Sequence, residues 1–381
     1  MNKVRDSVLR SLSAVGALSE AKFYTELFSS QDPEKFAIFV VDPRCLKNPL
    51  LETLISNIRI LYDLGLLPTL LIGTLDDNKT SVRFQAQRLS KALEDVSVKV
   101  SRLNTASYQL IAEIKRKLRE GRVPVLDHTD QQKGKTLIDI AKRLKPNKII
   151  FLQPSGGITQ NGNRVPVINL DKIQNSTPSD SLSKGQTKFM EMVTVMAEIL
   201  DQQSVYVIAS PLNLLAELFT TKGSGTLIRR AAHVQSYASL VGIDQTKLKA
   251  SIESSFGKKL KLDFFHNSAV ISAFLEKDLR GGAILTDISG SVPYLSKFWV
   301  KQEARGEGLA RDVWDAMVSE TPAFFWRSRR NNPFNDWYMQ ACDGMQVSGD
   351  WRVFWKGLSE AQIPGSIIAA AHKLEDFEGV K

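Results

Sequence analysis

The sequence is poor in the residues that staple a chain or bind metal. Its 381 positions hold two cysteines, Cys45 and Cys342, and four histidines, His128, His233, His266 and His372. The cysteines lie far apart and none of these residues shows metal-ligand spacing, so neither a disulfide framework nor a metal site organises this chain. A reducing compartment and no metal cofactor are the expectations. Long apolar runs are also missing: none reaches the roughly 18 to 20 residues that cross a bilayer, and no membrane partner is expected. Lys and Arg exceed Asp and Glu by 50 to 41, a net charge of +9. The basic residues are spread rather than clustered, which speaks against nucleic acid and suits small anionic ligands. Hydrophobic content of 43% and charged content of 24% are those of a globular chain, long enough for two domains with separate cores.

The most informative stretch runs from Pro293 to Tyr338, PYLSKFWVKQEARGEGLARDVWDAMVSETPAFFWRSRRNNPFNDWY. Aromatic and β-branched residues predict a strand over Leu295 to Val300. Arg305-Gly306-Glu307-Gly308-Leu309-Ala310 then opens a helix whose Leu309, Val313, Trp314 and Met317 share one face. Thr321-Pro322 ends it, and Ala323 to Arg327 reads as a second strand. A small-residue turn entering a helix offers backbone N–H groups and the positive dipole end to an anion; a plain turn is the alternative. Arg327 and Arg329 are two apart and project from one strand face. Like charges so placed favour an anion between them, and a small dicarboxylate would pair with both guanidiniums. A solvated basic edge strand is the other reading.

The words PYLSKF, RGEGLA and FWRSRRNNPFNDWY resemble the acetyltransferase domain of the fungal and animal mitochondrial N-acetylglutamate synthases. In the wider GNAT superfamily a Gln/Arg-x-x-Gly-x-Gly/Ala turn holds the acetyl-CoA pyrophosphate, and Arg305, Gly308 and Ala310 fill its fixed places, with Gly306 an extra glycine inside it. The resemblance implies acetyl-CoA as co-substrate and transfer of its acetyl group to the amine of L-glutamate. Arg327 and Arg329 would hold the glutamate carboxylates. Lys259, in the word Phe256-Gly257-Lys258-Lys259-Leu260, would contact the same amino acid, with Lys258 its rival. Tyr294, Lys297, Asn332 and Tyr338 match the remaining active-site positions. Lys297 and Asn332 are expected to orient substrate, Tyr294 to wall the pocket or steer protons, and Tyr338 to protonate the leaving thiolate. Backbone N–H groups of Phe298, Trp299 and Val300 would receive the oxyanion. Trp326, Trp337 and Phe334 read as core or pocket wall.

Before residue 230 strands and helices alternate. Strands are predicted at Phe36 to Val41, Pro68 to Gly73, Val123 to Leu126, Lys148 to Leu152 and Val205 to Ile208. Helices are predicted at Leu50 to Leu64, Val82 to Leu93, Tyr108 to Glu120, Gly134 to Leu144 and Thr187 to Leu200. This pattern means a mostly parallel sheet sandwiched by helices. The words FLQPSGGITQNGNRVPVINL and ELFTTKGSGTLIRR resemble the amino acid kinase fold, acetylglutamate kinase in particular. The fold expected is therefore α/β: a kinase-like three-layer sandwich over residues 1 to 235, then a GNAT α+β domain over 236 to 381. Arg229 to Ile243 is read as a helical link.

Where working kinases carry Lys-x-Gly-Gly, this chain has Val40, Val41, Asp42 and Pro43. The second phosphate loop reads Gly73-Thr74-Leu75-Asp76-Asp77. Proline fixes φ and removes a donor, and two aspartates repel a triphosphate, so no kinase activity is expected. By resemblance the domain regulates and assembles instead: Glu217 would hold the guanidinium of an L-arginine effector, with Gly223 and Gly225 close by. The plainer reading is a connecting loop whose glycines only turn the chain. Val4 to Phe28, one or two helices, would pair subunits and border the effector site. A homo-oligomer, dimer or tetramer, is expected, with acetylglutamate kinase as a further partner and the mitochondrial matrix as location. Met1 to Leu12, basic and weakly amphipathic, reads as a helix start in a mature or trimmed chain. Two rival functions remain: an acetylglutamate kinase with an acetyltransferase-like appendage, and a non-catalytic arginine sensor.

Overall fold

A computed structural model describes residues 9–10, 12, 18–30, 32–76, 78–130, 132–160, 162–172, 184–200, 205–220, 223–288, 290, 292–304, 308–332 and 334–378. The chain divides into two compact units, Met1–Arg230 and Ala231–Lys381.

In the first unit, strands β1 (Ala37–Val41), β2 (Thr69–Ile72), β4 (Val123–Asp127) and β5 (Lys148–Leu152) are buried at every residue. Continuous apolar runs suit strands covered on both faces. β3 (Val100–Asn104) alternates inward and outward, as an edge strand does, and was not expected. A small hairpin, β6 (Thr159–Gln160) and β7 (Asn163–Arg164), precedes β8 (Val167–Asn169), β9 (Val205–Ala209) and β10 (Thr226–Arg229). The sheet order is β3-β4-β2-β1-β5-β9-β10-β8, parallel except where β10 runs antiparallel to β9. Helices α1 (Leu18–Ser29), α2 (Leu50–Asp63), α3 (Lys79–Asp95), α4 (Leu110–Arg119), α5 (Lys133–Leu144), α6 (Lys184–Ile199) and α7 (Leu214–Phe219) alternate with these strands. α2 buries Leu51, Leu54, Ile58 and Leu61, the helical spacing that predicted it. Of the segment expected to be helical from Val4, residues 4–8, 11 and 13–17 lie outside the described residues.

The turn after β1 is closed by its own charge. Asp42 caps the turn Pro43–Leu46, its Oδ1 accepting from the Arg44 amide at 2.8 Å, while the Arg44 guanidinium returns to the same carboxylate at 3.0 and 2.8 Å. Next to it Cys45 is fully buried, and burial pushes its thiol up to about 12.

The second unit opens differently from expectation: in place of a helical link, residues 234–237 form strand β11 (Val234–Tyr237), paired antiparallel with β12 (Val270–Glu276). The sheet continues through β13 (Gly281–Asp287) and β14 (Pro293–Val300) to β15 (Phe324–Arg329), β17 (Trp351–Lys356) and β16 (Gly344–Ser348). All pairs are antiparallel except β14 with β15, which meet at the one register pair Tyr294–Phe325 among the described residues. Helices α8 (Gln245–Phe256), α9 (Leu309–Glu320), α10 (Asn335–Ala341) and α11 (Ile363–His372) cover the sheet. On one face Leu309, Val313, Trp314 and Met317 of α9 pack on Leu285 and Leu295, the stripe read from the sequence. On the other, Leu248 and Ile252 of α8 pack on Ile284 and Trp299, and Ala370 of α11 packs on Tyr294 and Phe325.

β14 carries one extra residue. Ile284 lies opposite Lys297 and Leu285 opposite Leu295, so Ser296 has no partner. Tyr294 and Lys297 are three apart, which in a regular strand puts them on opposite faces. The bulge returns both to the face that carries Trp299 and Phe325.

Candidate active site

Four of the expected residues come together on that face. Arg327 and Arg329 face the same way because their register partners, Val353 and Trp351, alternate with the opposite-facing Arg352. Both guanidinium carbons lie 3.9 Å from the centre of the Trp351 ring. Arg327 donates to the Ala370 carbonyl at 2.6 Å. Arg329 pairs with Glu375 and, at 3.7 Å, with Asp350. The counter-charge that two neighbouring guanidiniums require is thus supplied by an aromatic face and by the chain's own carboxylates.

Lys297 is 3% exposed and pairs with Asp376, whose other oxygen takes Lys373 at 2.5 Å. Its ammonium also sits 4.5 Å from the centre of the Phe264 ring and 5.2 Å from that of Phe377. Burial pushes the Lys297 amine down to about 8, with Asp376 opposing the fall. Asp376 is itself held below the usual carboxylate range: burial raises it, and the Lys297 and Lys373 charges outweigh burial. Burial raises the Tyr294 phenol well above its ordinary range.

Tyr338, Asn332, Phe298 and the start of α9 lie across the sheet, whereas Trp299 shares the face of Lys297. Tyr338 packs against the stacked rings of Trp326 and Phe354, with ring centres 5.6 and 5.5 Å away, and burial keeps its phenol protonated far above neutrality. Asn332 donates to the Ser328 hydroxyl at 2.7 Å and accepts from the Phe334 amide at 2.9 Å. Phe298 stacks on Trp337 at 5.6 Å. The Trp299 indole donates to Ser251 at 2.9 Å, so that ring belongs to the core beneath α8; Val300 closes β14 opposite Gly281. Gly308, with φ of 80°, starts α9, and Ala310 stands in its first turn. A side chain there would be strained, and glycine is the residue that adopts this backbone. Arg305 and Gly306 lie outside the described residues. Among the described residues β14 and β15 keep no register pair beyond Tyr294–Phe325.

Lys259 has an exposed side chain, and its carbonyl accepts from the Glu378 amide at 2.9 Å, two residues beyond Asp376. Sequence reasoning missed Trp351, Lys373, Glu375 and Asp376. Two adjacent acids near a chain end carry no signal until the fold returns them to cations more than forty positions earlier.

In the first unit Glu217, Gly223 and Gly225 are brought together. Glu217 is buried and its Oε2 accepts from the Ser224 and Gly225 amides, each at 2.8 Å, with Lys148 at 3.8 Å from Oε1. Gly223, with φ of 63°, approaches so closely that an added Cβ would lie 2.7 Å from the Glu217 carboxylate. The carboxylate therefore already clamps its own loop. Among the described residues no group of histidine, cysteine, aspartate or glutamate is placed to hold a metal ion, and no helix is long and apolar enough to cross a membrane.

Residues 231–374 match the family described as NAT, the N-acetyltransferase of N-acetylglutamate synthase. An acetylglutamate kinase of Xanthomonas campestris pv. campestris is 30% identical over 90% of this chain and 95% of its own length. The mitochondrial N-acetylglutamate synthase of Danio rerio is 35% identical over 62% of this chain and 46% of its own length. Among solved structures, N-acetylglutamate synthase from Neisseria gonorrhoeae, complexed with coenzyme A and N-acetyl-glutamate, shares the fold at a TM-score of 0.52. It is 16% identical and covers 93% of this chain and 97% of its own.

Proposed function

The chain belongs to the family of N-acetylglutamate synthases and acetylglutamate kinases that joins an amino acid kinase-like domain to an N-acetyltransferase domain, and on that premise we propose that it transfers acetyl from acetyl-CoA to the amine of L-glutamate. The observation that carries this reading is the convergence of Lys297, Arg327 and Arg329 on one sheet face, each engaged by a polar group or carboxylate of its own chain. Three cations around a dicarboxylate are the recognition that glutamate demands. They stand beside the gap between β14 and β15, where a thioester can be presented edge-on to the amine.

The chemistry divides between the two faces. Arg327 and Arg329 hold the carboxylates and Lys297 orients the substrate, fixing the amine for direct attack without a covalent enzyme intermediate. Backbone N–H groups near Phe298 receive the oxyanion. The substrate ammonium gives one proton to solvent before it attacks; Tyr338, kept protonated by burial, gives its proton to the departing CoA thiolate and is restored by the second proton, which the tetrahedral nitrogen sheds through solvent. Asn332 holds the loop that follows Arg329. Gly308 and Ala310, with Arg305 and Gly306, receive the CoA pyrophosphate at the start of α9. The kinase-like domain binds L-arginine near Glu217 and mediates assembly into a dimer or tetramer, in the mitochondrial matrix. The named location of the Danio rerio relative supports that placement.

Kinship with the Xanthomonas campestris enzyme gives the kinase reading its claim. The turn after β1 opposes it, because Asp42 occupies the amide that a nucleotide phosphate would need. CoA release from acetyl-CoA and L-glutamate, measured with and without L-arginine, tests the proposal; inhibition by arginine is expected. ATP-dependent phosphorylation of N-acetylglutamate without CoA release would install the kinase reading instead.

A further inference from the structure

Residues 373–378 form a strap over the cationic face, running across the end of the family match at residue 374. Their backbone is anchored: the Lys261 amide donates to Asp376 O at 3.0 Å, the Glu378 amide to Lys259 O at 2.9 Å, and Leu260 bridges Phe377. Phe377 packs against Phe256, the rings tilted by 47° with centres 5.0 Å apart. This clamp delivers the Asp376 carboxylate to the Lys297 ammonium.

We propose that Asp376 is a positioning residue of the acetyltransferase site, the fixed counter-ion that keeps the buried Lys297 ammonium charged and aimed at the acidic substrate. The inference rests on the reading of that site given above. A buried ammonium without a carboxylate sheds its proton and turns away. The groups facing Lys297 decide whether this happens. The Phe264 and Phe377 rings and the Ser296 hydroxyl touch it, Lys373 repels it, Glu375 attracts it from further off, and Tyr294 and Arg327 share its sheet face. Among these Asp376 alone bonds the ammonium through a carboxylate, and it does so with both oxygens spoken for, one by Lys297 and one by Lys373. Glu375 differs: it is half-exposed and reaches Arg329 only through a flexible arm. The strap thus holds one carboxylate in place and lends the other to a guanidinium that the substrate claims on arrival.

The test compares the full chain with D376N, D376E and E375Q. The charge on Lys297 is read directly, by the pH dependence of its acylation by an amine-reactive reagent followed by peptide mass spectrometry. In D376N the pH at which Lys297 becomes reactive is expected to fall by about one unit or more. The KM for L-glutamate is expected to rise about tenfold while that for acetyl-CoA holds. The basic limb of the pH–rate profile should move down with the lysine. D376E should recover most of each, and it carries the comparison should D376N not fold. Unchanged Lys297 reactivity in D376N overturns the inference, and so does a lower KM for glutamate, which would make the strap a competitor of substrate. If the full chain acetylates no acidic amino acid, the labelling result still judges Asp376, and only the assigned reaction falls.

Discussion

Arg327 lies over the Trp351 ring, its guanidinium carbon 3.9 Å from the ring centre. The indole belongs to β17, the guanidinium to β15, and the pair is held by the antiparallel register between those strands. A guanidinium that is stacked and bonded to the Ala370 carbonyl has little freedom left to lose when substrate binds.

Replacing Arg327 with alanine is therefore expected to raise the KM for L-glutamate by about a hundredfold, from the loss of roughly 2 to 4 kcal/mol of charge-paired binding. The KM for acetyl-CoA should change little. Initial-rate kinetics in both substrates decide the matter; an equal loss for both would contradict the role given to this arginine.

Lys297 makes opposite demands on binding and on stability. Its amine titrates at about 8 in the folded chain and at 10.5 in the unfolded one. Grip on glutamate should fade as pH rises through about 8, when the ammonium is lost. Between 8 and 10.5 the unfolded chain binds the extra proton, so stability should rise with pH, by on the order of 3 kcal/mol in total from this group. Urea unfolding of the full chain and of K297M across that range measures the difference. A gap between them that stays flat with pH would refute the assignment.

Deleting Ser296 removes the bulge. The strand then regains its regular alternation, and Tyr294 and Lys297 can no longer share a face. Acetyl transfer should fall below detection, whereas Ser296→Ala should keep most of it. Retention of activity in the deletion would mean that the bulge does not place the chemistry.

In the kinase-like domain Gly225 leaves no space: an added Cβ would lie 2.2 Å from the backbone oxygen of Ile208. Gly225→Ala is expected to cost about 3 kcal/mol or more and to lower the melting temperature sharply. Glu217→Ala should free the Ser224 and Gly225 amides and remove the arginine response, with the glutamate and acetyl-CoA KM values retained. Calorimetric titration with L-arginine checks this; undiminished binding would place the effector elsewhere.

Much of the fold was legible because its signals are local. Unbroken apolar runs marked β1, β2, β4, β5 and β9, and the stripe Leu309, Val313, Trp314, Met317 marked α9. What escaped was set by distant partners. β3 is a polar edge strand whose pairing with β4 is what makes it a strand. The span read as a linking helix contains β11, which exists because β12 offers it a free edge. In the candidate site the adjacent arginines could be read from a strand period of two. The joint facing of Tyr294 and Lys297 could not, since one bulged residue reverses that period. Nor could the strap be foreseen, because its meaning lies in which cations it meets.

The state of the thiols bears on how the reaction is best followed. Cys45 is wholly enclosed, with its thiol pushed up to about 12, and so is nearly inert toward electrophiles near neutral pH. Cys342 is half-covered and raised as well, mainly by burial. A colorimetric disulfide reagent added to a working assay would therefore register liberated CoA over little background from the protein itself.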